Sequence, residues 1–349
     1  MDTLQDSNHA LLQQMLADYR KAPAIYQTSA FWEKLAAHHC DLVQRWGLNY
    51  FKRTVNRRYF NWGMLGILAH QFHPVFIHWL RRTDPAVLKA EFPDFREPRG
   101  EGMVSFNPAV AWLYKVYVAM LAHYVSQQDP WRLCQTIDEP AIGHPLRIRY
   151  RDRWFSQDLC NSIHEFYSAC DCRLGNQQRT TVVELGAGYG RLAYVFLKAL
   201  PACSYCIIDI PPALYLAQEY LTALFPNEKV FRYRPFQSYK EIKNEFEAAR
   251  LRFLMAHQIE MLPSKQFDLV INISSFHEMT SQQIHHYFEQ IDRLCRSRFY
   301  MKQWRKSRAT ENQFVIRQNE YPIPATWHLV RQRQHPIQRW FFDALYEVQ

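Results

Sequence analysis

Three glycines lie within five positions in the run VVELGAGYGRLA, residues 182 to 193. Gly186, Gly188 and Gly190 are three of only ten glycines in the chain, and no glycine follows them. Glycine is used where the backbone takes positive φ or approaches another group closely. The cluster therefore predicts a turn between a strand and a helix that presents bare backbone to a ligand.

Carboxylates stand on both sides of this turn in the sequence. Glu184 lies two residues before Gly186, and Asp209 lies 23 residues after it. The first acid suits a cationic amino-acid group, and the second suits the two hydroxyls of a ribose. A dinucleotide would use the second acid too, but its fingerprint needs a small residue where Arg191 stands. S-adenosylmethionine (SAM), which carries a sulfonium and no phosphate, fits better.

The run INISSFHEM, residues 271 to 279, places polar and ionisable side chains at the end of a later predicted strand. We expect Asn272 and Ser274 to face the methionine part of the cofactor, and His277 and Glu278 to reach the acceptor. Methyl transfer to a hydroxyl needs a group that takes up its proton, and the ordinary pKa of histidine suits that role. For each residue, a helix-capping or packing role is an equal alternative.

Strands and helices alternate after residue 150. The predicted strands are TTVVELGAG, SYCIIDIP, RLRFLMAHQ, FDLVINIS and RFYMKQW, and the predicted helices are SQDLCNSIHEFYSA, RLAYVFLKAL, ALYLAQEYLTALF and SQQIHHYFEQIDRLC. Ser156 is the candidate N-cap of the first of these helices. Such alternation indicates βαβ units and a doubly wound, Rossmann-like, mainly parallel α/β sheet. In such a sheet, ligands bind beyond the carboxyl ends of the strands.

The run ELGAGYG, residues 184 to 190, resembles the first motif of the class I SAM-dependent methyltransferases. That motif is an acidic residue followed by x-Gly-x-Gly-x-Gly, and the resemblance extends over residues 181 to about 305. It implies SAM as cofactor and methyl transfer as activity. The expected cofactor-binding residues are Glu184, Gly186, Ala187, Gly188, Tyr189, Asp209, Ile210, His257, Gln258, Asn272 and Ser274.

The adenine loop departs from the pattern of that family. There, the third strand often ends in Asp-Ala, with Leu-Pro a few residues later. This chain keeps Leu262 and Pro263 but has His257 and Gln258 in place of Asp-Ala. The resemblance therefore places the adenine against Gln258 or a backbone carbonyl.

Five runs together also resemble the bacterial sugar O-methyltransferase family. They are SQDLCNSIHEF, ELGAGYGRLAYVFL, IIDIPPALYLAQEYL, INISSFHEM and FYMKQW. This resemblance implies O-methylation of a hydroxyl on a sugar or a glycosylated small molecule. In that family, Gln often precedes the Glu-Met pair, so the choice of base between His277 and Glu278 stays open.

The net charge of +9 is concentrated in one segment. Residues 293–339 contain eleven Lys and Arg residues against Glu311 and Glu320. Such a field attracts phosphates or nucleic acid, although a solvated face is the commoner role of a charge run. Without a recognisable RNA-binding module, we expect a small-molecule or glycan acceptor, with or without a phosphate. A nucleic-acid methyltransferase and a non-catalytic SAM-binding scaffold are the alternatives.

Two domains are expected in a chain of 349 residues. Residues 1–150 are predicted to form a helical N-terminal domain that serves as lid, substrate platform or oligomer contact. Residues 151–349 are predicted to form the SAM-binding methyltransferase domain. The apolar run 109–125 contains Lys115 and is shorter than the ~20 residues that a membrane span needs, so we predict a buried helix.

The first 20 residues do not have the pattern of a secretory signal. We therefore expect a cytoplasmic protein whose cysteines are reduced and buried. The close pairs Cys170 with Cys172 and Cys203 with Cys206 do not have a convincing zinc spacing. No required metal is predicted.

Overall fold

The computed structural model describes residues 2–28, 30–55, 64–93, 103, 107–170, 179–307 and 315–349. The chain divides into two units, which we call the sheet unit and the helical unit. The sheet unit comprises Met1–Cys40, Ser168–His335 and Trp340–Gln349, and the helical unit comprises Asp41–Tyr167 and Pro336–Arg339. This division differs from the predicted boundary at residue 150, because residues 1–40 group with the sheet unit.

The secondary structure is mixed. The helices are α1 (Asp2–Arg20), α2 (Ala30–Tyr50), α3 (Met64–Arg81), α4 (Ala86–Lys89), α5 (Pro108–Ser126), α6 (Leu133–Thr136), α7 (Gln157–Cys170), α8 (Arg191–Ala199), α9 (Ala213–Leu224), α10 (Tyr239–Ala248) and α11 (Ser281–Leu294). The strands are β1 (Ile148–Tyr150), β2 (Arg153–Phe155), β3 (Thr181–Leu185), β4 (Ser204–Asp209), β5 (Val230–Phe231), β6 (Leu251–Met255), β7 (Phe267–Ile273), β8 (Cys295–Trp304), β9 (His328–Gln334) and β10 (Phe341–Glu347). Short 3-10 turns lie at Ala24–Tyr26, Ala256–Met261 and Phe276–Glu278.

One sheet of eight strands forms the centre of the sheet unit, in the order β5-β6-β4-β3-β7-β8-β10-β9. Neighbouring strands from β5 to β8 are parallel, and β10 runs antiparallel to both β8 and β9. The predicted mainly parallel, Rossmann-like sheet is confirmed. The chain passes outward from β3 through β4 to the border strand β5, steps back to β6 between β5 and β4, and β7 then lies on the other side of β3. The carboxyl ends of β3 and β7 are therefore the topological switch point of the sheet, and we call the region beyond them the crevice.

Helices cover both faces of this sheet. Ile208 of β4 belongs to an apolar cluster that includes Phe246 of α10 and Phe288 of α11. Tyr205 of the same strand packs on the other side, with its ring centroid 5.4 Å from that of Phe196 in α8. Successive strand residues point to opposite faces, so β4, which is buried at every position, has to be covered on both sides.

The helical unit contains α5 as a long buried helix. Asn107 caps it by accepting a hydrogen bond of 2.9 Å from the backbone N–H of Val110, and Pro108 occupies the first helical position, where its missing N–H costs nothing. Tyr117 and Leu121 are fully buried. The predicted buried helix over 109–125 is thus present, and no helix in the described ranges is long and apolar enough to cross a membrane.

The N-terminal residues join the sheet unit through α1 and the 3-10 turn that follows it. Helix α1 contacts α9, and the hydroxyl of Tyr233 donates to Asp18 at 2.9 Å. The side-chain amide of Gln283 in α11 donates to the carbonyls of Ile25 and Gln27 at 3.0 and 2.8 Å. These contacts are long-range in sequence, so a boundary drawn from composition does not detect them.

Most described basic residues of the segment 293–339 are paired within the chain. Arg296 lies 3.0 Å from Asp268, and Arg333 lies 3.0 Å from Asp343. Further partners are Glu347 for Arg298, Glu320 for Arg317, and backbone carbonyls for Arg293 and Arg331. Several of these acids and carbonyls lie outside the segment. Four arginines of the segment, Arg296, Arg298, Arg317 and Arg333, thus have carboxylate partners, and Arg308 lies outside the described residues.

We expect Arg333→Met to lower the free energy of unfolding by about 2–3 kcal/mol, because it deprives the fully buried carboxylate of Asp343 of its guanidinium partner. Arg317→Met is the matched control, since it removes a 3.9 Å pair between two half-exposed side chains, and should cost less than about 1 kcal/mol. Urea unfolding of both full-length variants measures the difference. Equal losses would contradict a structural role for the Arg333 pair.

Candidate functional site

The glycine turn joins β3 to α8 at the switch point of the sheet. Gly186, Gly188 and Gly190 have φ values of 73°, 60° and 81°, which residues with a side chain rarely adopt. A Cβ atom on Gly186 would lie 2.5 Å from Oγ of Ser275, and one on Gly190 would lie 2.7 Å from Leu221. The bare turn predicted from the glycine spacing is therefore present, and the close approach of neighbours accounts for two of its glycines.

The side chain of Asp209 joins the end of β4 to this turn. Its carboxylate accepts hydrogen bonds from the backbone N–H groups of Gly188, at 2.8 Å, and Ile210, at 2.7 Å. Burial raises the pKa of Asp209 to about 7, with a smaller contribution from the charge of Glu278, while the two backbone hydrogen bonds act in the opposite direction. The carboxyl group thus changes protonation near neutral pH.

Glu184 is buried on β3, and its carboxylate accepts a hydrogen bond of 2.8 Å from the hydroxyl of Tyr205. Both side chains lie on the same face of the sheet, because Tyr205 pairs with Val182, two residues before Glu184. Burial raises the pKa of Tyr205, and the negative charge of Glu184 raises it further. Contact between Glu184 and a cofactor therefore stays a prediction.

A buried amide network ties the end of β3 to β7. The side-chain amide of Asn272 donates to the carbonyl of Leu185 at 2.9 Å and to Oγ of Ser275 at 3.1 Å. Gln303 of β8 donates in turn to Oδ1 of Asn272, and both amides are fully buried. Asn272 therefore supports the crevice by holding its two walls together. Sequence reasoning missed Gln303, because a single amide in the run RFYMKQW gives no signal of its partner.

Ser274 lies directly after β7 in an unusual environment. Its φ is 54°, and its backbone N–H donates to the carbonyl of Lys302 at 2.8 Å. Its Oγ is buried and has no hydrogen-bond partner in the described part of the chain. Positive φ in a residue with a side chain, together with a buried hydroxyl that lacks a partner, is a combination found at functional sites.

His277 and Glu278 lie on the 3-10 turn that follows β7. Nε2 of His277 is 3.3 Å from Oε1 of Glu278, and the two side chains are 4% and 19% exposed. The ring of His277 has its centroid 6.0 Å from that of Trp304. Burial raises the pKa of Glu278, and the adjacent His277 partly opposes this. The structure thus brings the predicted pair together at the same end of the sheet as Asp209, whose pKa Glu278 affects.

In the loop after β6, the structure distinguishes His257 from Gln258. The amide of Gln258 accepts from the backbone N–H of Met255 at 2.8 Å and donates to the carbonyl of Arg234 at 2.9 Å. The buried amide of Gln258 thus holds the loop, and contact of the adenine with Gln258 or with a backbone carbonyl stays a prediction. Nδ1 of His257 has no partner within the described ranges, and burial lowers the pKa of His257, which favours the neutral ring.

The remaining expected cofactor residues, Tyr189, Ile210 and Ala187, differ in burial and in their contacts. The ring of Tyr189 is buried, with its centroid 5.4 Å from that of Tyr220 in α9, so its contact with a cofactor stays a prediction. Ile210 is partly buried directly after β4. The carbonyl of Ala187 accepts from the N–H of Gly190 at 3.1 Å, which closes the turn.

The predicted N-cap at Ser156 is confirmed within the helical unit. Its Oγ accepts from the N–H of Leu159 at 3.0 Å and donates to Glu139 at 2.6 Å. Across the described residues, no group of three or more His, Cys, Asp and Glu side chains is arranged to hold a metal. Cys203 and Cys206 are buried in the sheet unit, whereas Cys172 lies outside the described residues.

No family model and no curated protein matches the chain. Solved structures do resemble it. A SAM-dependent methyltransferase from Aquifex aeolicus matches with a TM-score of 0.36 and 14% identity, over 65% of this chain and 98% of its own. Magnesium protoporphyrin IX methyltransferase from Synechocystis, with S-adenosylhomocysteine (SAH) bound, matches with a TM-score of 0.36 and 12% identity, over 55% of this chain and 86% of its own.

An arsenic(III) SAM methyltransferase from Chlamydomonas reinhardtii matches with a TM-score of 0.34 and 17% identity, over 50% of this chain and 66% of its own. At these identities and TM-scores, the likeness carries no inference about the activity of this chain. The fold is described by its own strand order, and the site by its own contacts.

We expect Asp209→Asn to stabilise the protein at pH 8. The pKa of Asp209 is about 7 in the folded protein, above the ordinary 3.8, so the folded state holds the proton more tightly than the unfolded state. The stabilisation from this proton is therefore complete below about pH 4, and it is lost as the pH rises to about 7. Asparagine removes that loss but leaves one backbone N–H poorly paired, for a net gain of about 2 kcal/mol.

Thermal unfolding of both proteins at pH 8 and pH 5 measures this effect. The advantage of the variant should shrink at the lower pH, where the wild-type carboxyl is largely protonated. An advantage that does not change with pH would show that ionisation of Asp209 is not its cause.

Proposed function

We propose that the sheet unit binds SAM in the crevice between β3 and β7. The observation that carries this proposal is the buried carboxylate of Asp209, which is hydrogen-bonded to Gly188 in a turn that leaves no room for a Cβ atom at Gly186 or Gly190. A carboxylate beside bare backbone suits a nucleoside whose ribose hydroxyls must be held close to the chain. Arg191 begins α8, where the dinucleotide fingerprint needs a small residue, which favours SAM over a dinucleotide.

We assign each residue around the crevice to a different part of the cofactor. Asp209 would accept hydrogen bonds from ribose hydroxyls, and the neutral ring of His257 would meet the adenine. Ser274 would direct its unused hydroxyl at the amino-acid part, and Glu184 would compensate the positive charge there. The buried groups that have no partner, on Ser274 and His257, support this assignment, because a ligand would supply the missing hydrogen bonds.

We further propose that the activity is O-methylation of a hydroxyl on a sugar or glycosylated small molecule. When bound, SAM supplies a methyl group on a sulfonium and leaves as SAH when the acceptor oxygen bonds to that carbon. His277 takes the hydroxyl proton as the oxygen reacts, and Glu278, at 3.3 Å from its Nε2, orients the ring and stabilises its charged form. The sugar class rests on the sequence resemblance.

Two other functions are less well supported. Nucleic-acid methylation was suggested by the basic segment, but Arg296, Arg298, Arg317 and Arg333 are paired with acids of the chain, which reduces the charge that the segment offers to phosphates. A non-catalytic scaffold that binds SAM would need the crevice but not the pair of His277 and Glu278. Binding of SAM without transfer to any acceptor would favour that scaffold.

Isothermal titration with SAH tests the proposed cofactor. We expect wild-type protein to bind SAH at pH 8 and up to about tenfold more weakly at pH 6, because Asp209, with a pKa of about 7, must be ionised to accept two hydroxyls. Asp209→Asn should bind weakly and without this pH dependence. A crevice that binds NAD but not SAH would overturn the proposal.

Single-turnover methyl transfer tests the proposed base. With methyl-labelled SAM and a panel of methyl glucoside, glucose 1-phosphate and UDP-glucose, we expect His277→Gln to lower the rate by about 10²–10⁴-fold with the SAH affinity unchanged. The control is His285→Gln, because the ring of His285 is exposed on α11, with its Nδ1 at 2.8 Å from the carbonyl of Ser281. An equal rate for His277→Gln and wild type would remove His277 from the mechanism.

A further inference from the structure

Residues 10–28 lie against the sheet unit, far in sequence from the glycine turn. They comprise the last part of α1 and the 3-10 turn Ala24–Tyr26, and we call them the N-terminal strap. Its anchors include the bond from Tyr233 to Asp18 and the two bonds from Gln283 to strap carbonyls. The strap therefore contacts both the region after β5 and helix α11.

The hydroxyl of Tyr26 has partners on two different elements of the sheet unit. Its hydroxyl donates to Oε1 of Glu260 at 2.7 Å and lies 2.7 Å from Nε2 of His286, and its ring is buried. Glu260 belongs to the 3-10 turn after β6 that also carries His257, whereas His286 belongs to α11. One hydroxyl thus joins the loop after β6 to helix α11, which follows β7 in the sequence.

Tyr287 extends this contact towards the crevice. Its ring lies edge-on to that of Tyr26, with 6.0 Å between the centroids. Burial raises the pKa of Tyr287, and the charge of Asp209 raises it further, with a smaller effect from Tyr19. Tyr287 therefore packs against Tyr26 and is near enough to Asp209 for that charge to affect its pKa.

A charged residue of the strap also affects His257, the other residue that we assign to the adenosine. His257 is subject to the charges of Asp18 and Glu260, which oppose the lowering of its pKa by burial. Asp18 is a strap residue, and Glu260 is the acceptor of the Tyr26 hydroxyl. The two residues proposed to hold the ribose and the adenine, Asp209 and His257, thus both neighbour groups that the strap contacts.

We propose that the N-terminal strap forms a wall of the cofactor crevice at its adenosine end, with Tyr26 as the positioning residue. Tyr26 holds the loop after β6 and helix α11 at the spacing that the nucleoside requires. This inference rests on the proposed binding of SAM. It means that a segment about 160 residues before the glycine turn directly affects the affinity for the cofactor.

Tyr26→Phe separates positioning from packing. The phenylalanine ring keeps the edge-on contact with Tyr287, but the hydroxyl that joins Glu260 to His286 is lost. The loop after β6 then has to be ordered when the cofactor binds, at a cost in affinity. We expect the dissociation constant of SAH to rise about tenfold, and the KM for SAM to rise with kcat at saturating SAM unchanged.

Tyr239→Phe is the matched control. Tyr239 also donates its hydroxyl to a carboxylate of the sheet unit, at 3.1 Å to Glu247, but on α10 and without a strap partner among the described contacts. Titration of SAH into both full-length variants should show the tenfold rise for Tyr26→Phe alone. Equal affinity of Tyr26→Phe and wild type would overturn this inference and leave the proposed function standing.

Hydrogen exchange of the wild-type protein gives a second test that does not depend on the folding of a variant. Addition of SAH should slow exchange of the backbone amides at residues 22–28 as well as at the glycine turn. Slower exchange at the turn alone would overturn the role of the strap. If wild-type protein does not bind SAH at all, both this inference and the proposed function fall.

Discussion

The position of the crevice depends on the side-chain amide of Asn272. It bonds to the last carbonyl of β3 and to Ser275, and it receives a bond from Gln303. Three adjacent strands, β3, β7 and β8, are thereby fixed to one another at the end where the strand order changes direction. A buried amide is expensive when its bonds are not made, and Oε1 of Gln303 has no hydrogen-bond partner among the described residues. The close packing of Gly186 on Ser275 follows from the same constraint.

Around this rigid centre, several groups are held in states that folding alone would not favour. Asp209 and Glu278 are carboxyl groups whose burial raises their pKa values, and Ser274 combines positive φ with a hydroxyl that lacks a partner. Such groups oppose stability, and proteins retain them where a ligand compensates the cost. All three lie at the carboxyl end of the parallel strands, which is where ligands bind in sheets of this kind.

The sequence predicted the parts of the molecule that depend on local pattern. Alternation of apolar runs predicted β3, β4, β6, β7 and β8 with their helices, and the glycine spacing predicted the turn. Contacts between distant residues were not predicted: the acids that pair with Arg296 and Arg333, the amide of Gln303, and the attachment of residues 1–40 to the sheet unit. The motif position suggested Gln258 or a backbone carbonyl for the adenine, but it could not show that the amide of Gln258 bonds to Met255 and Arg234 in the loop. The final strands β9 and β10 have mixed polar and apolar patterns that no local rule identified.

The order of the strands also bears on how copies of this chain can associate. One outer strand of the sheet, β5, is two residues long, and the other, β9, has the sequence HLVRQRQ with mostly exposed side chains. Short and cationic border strands discourage the addition of a foreign strand. Growth of the sheet from molecule to molecule is therefore disfavoured at both borders.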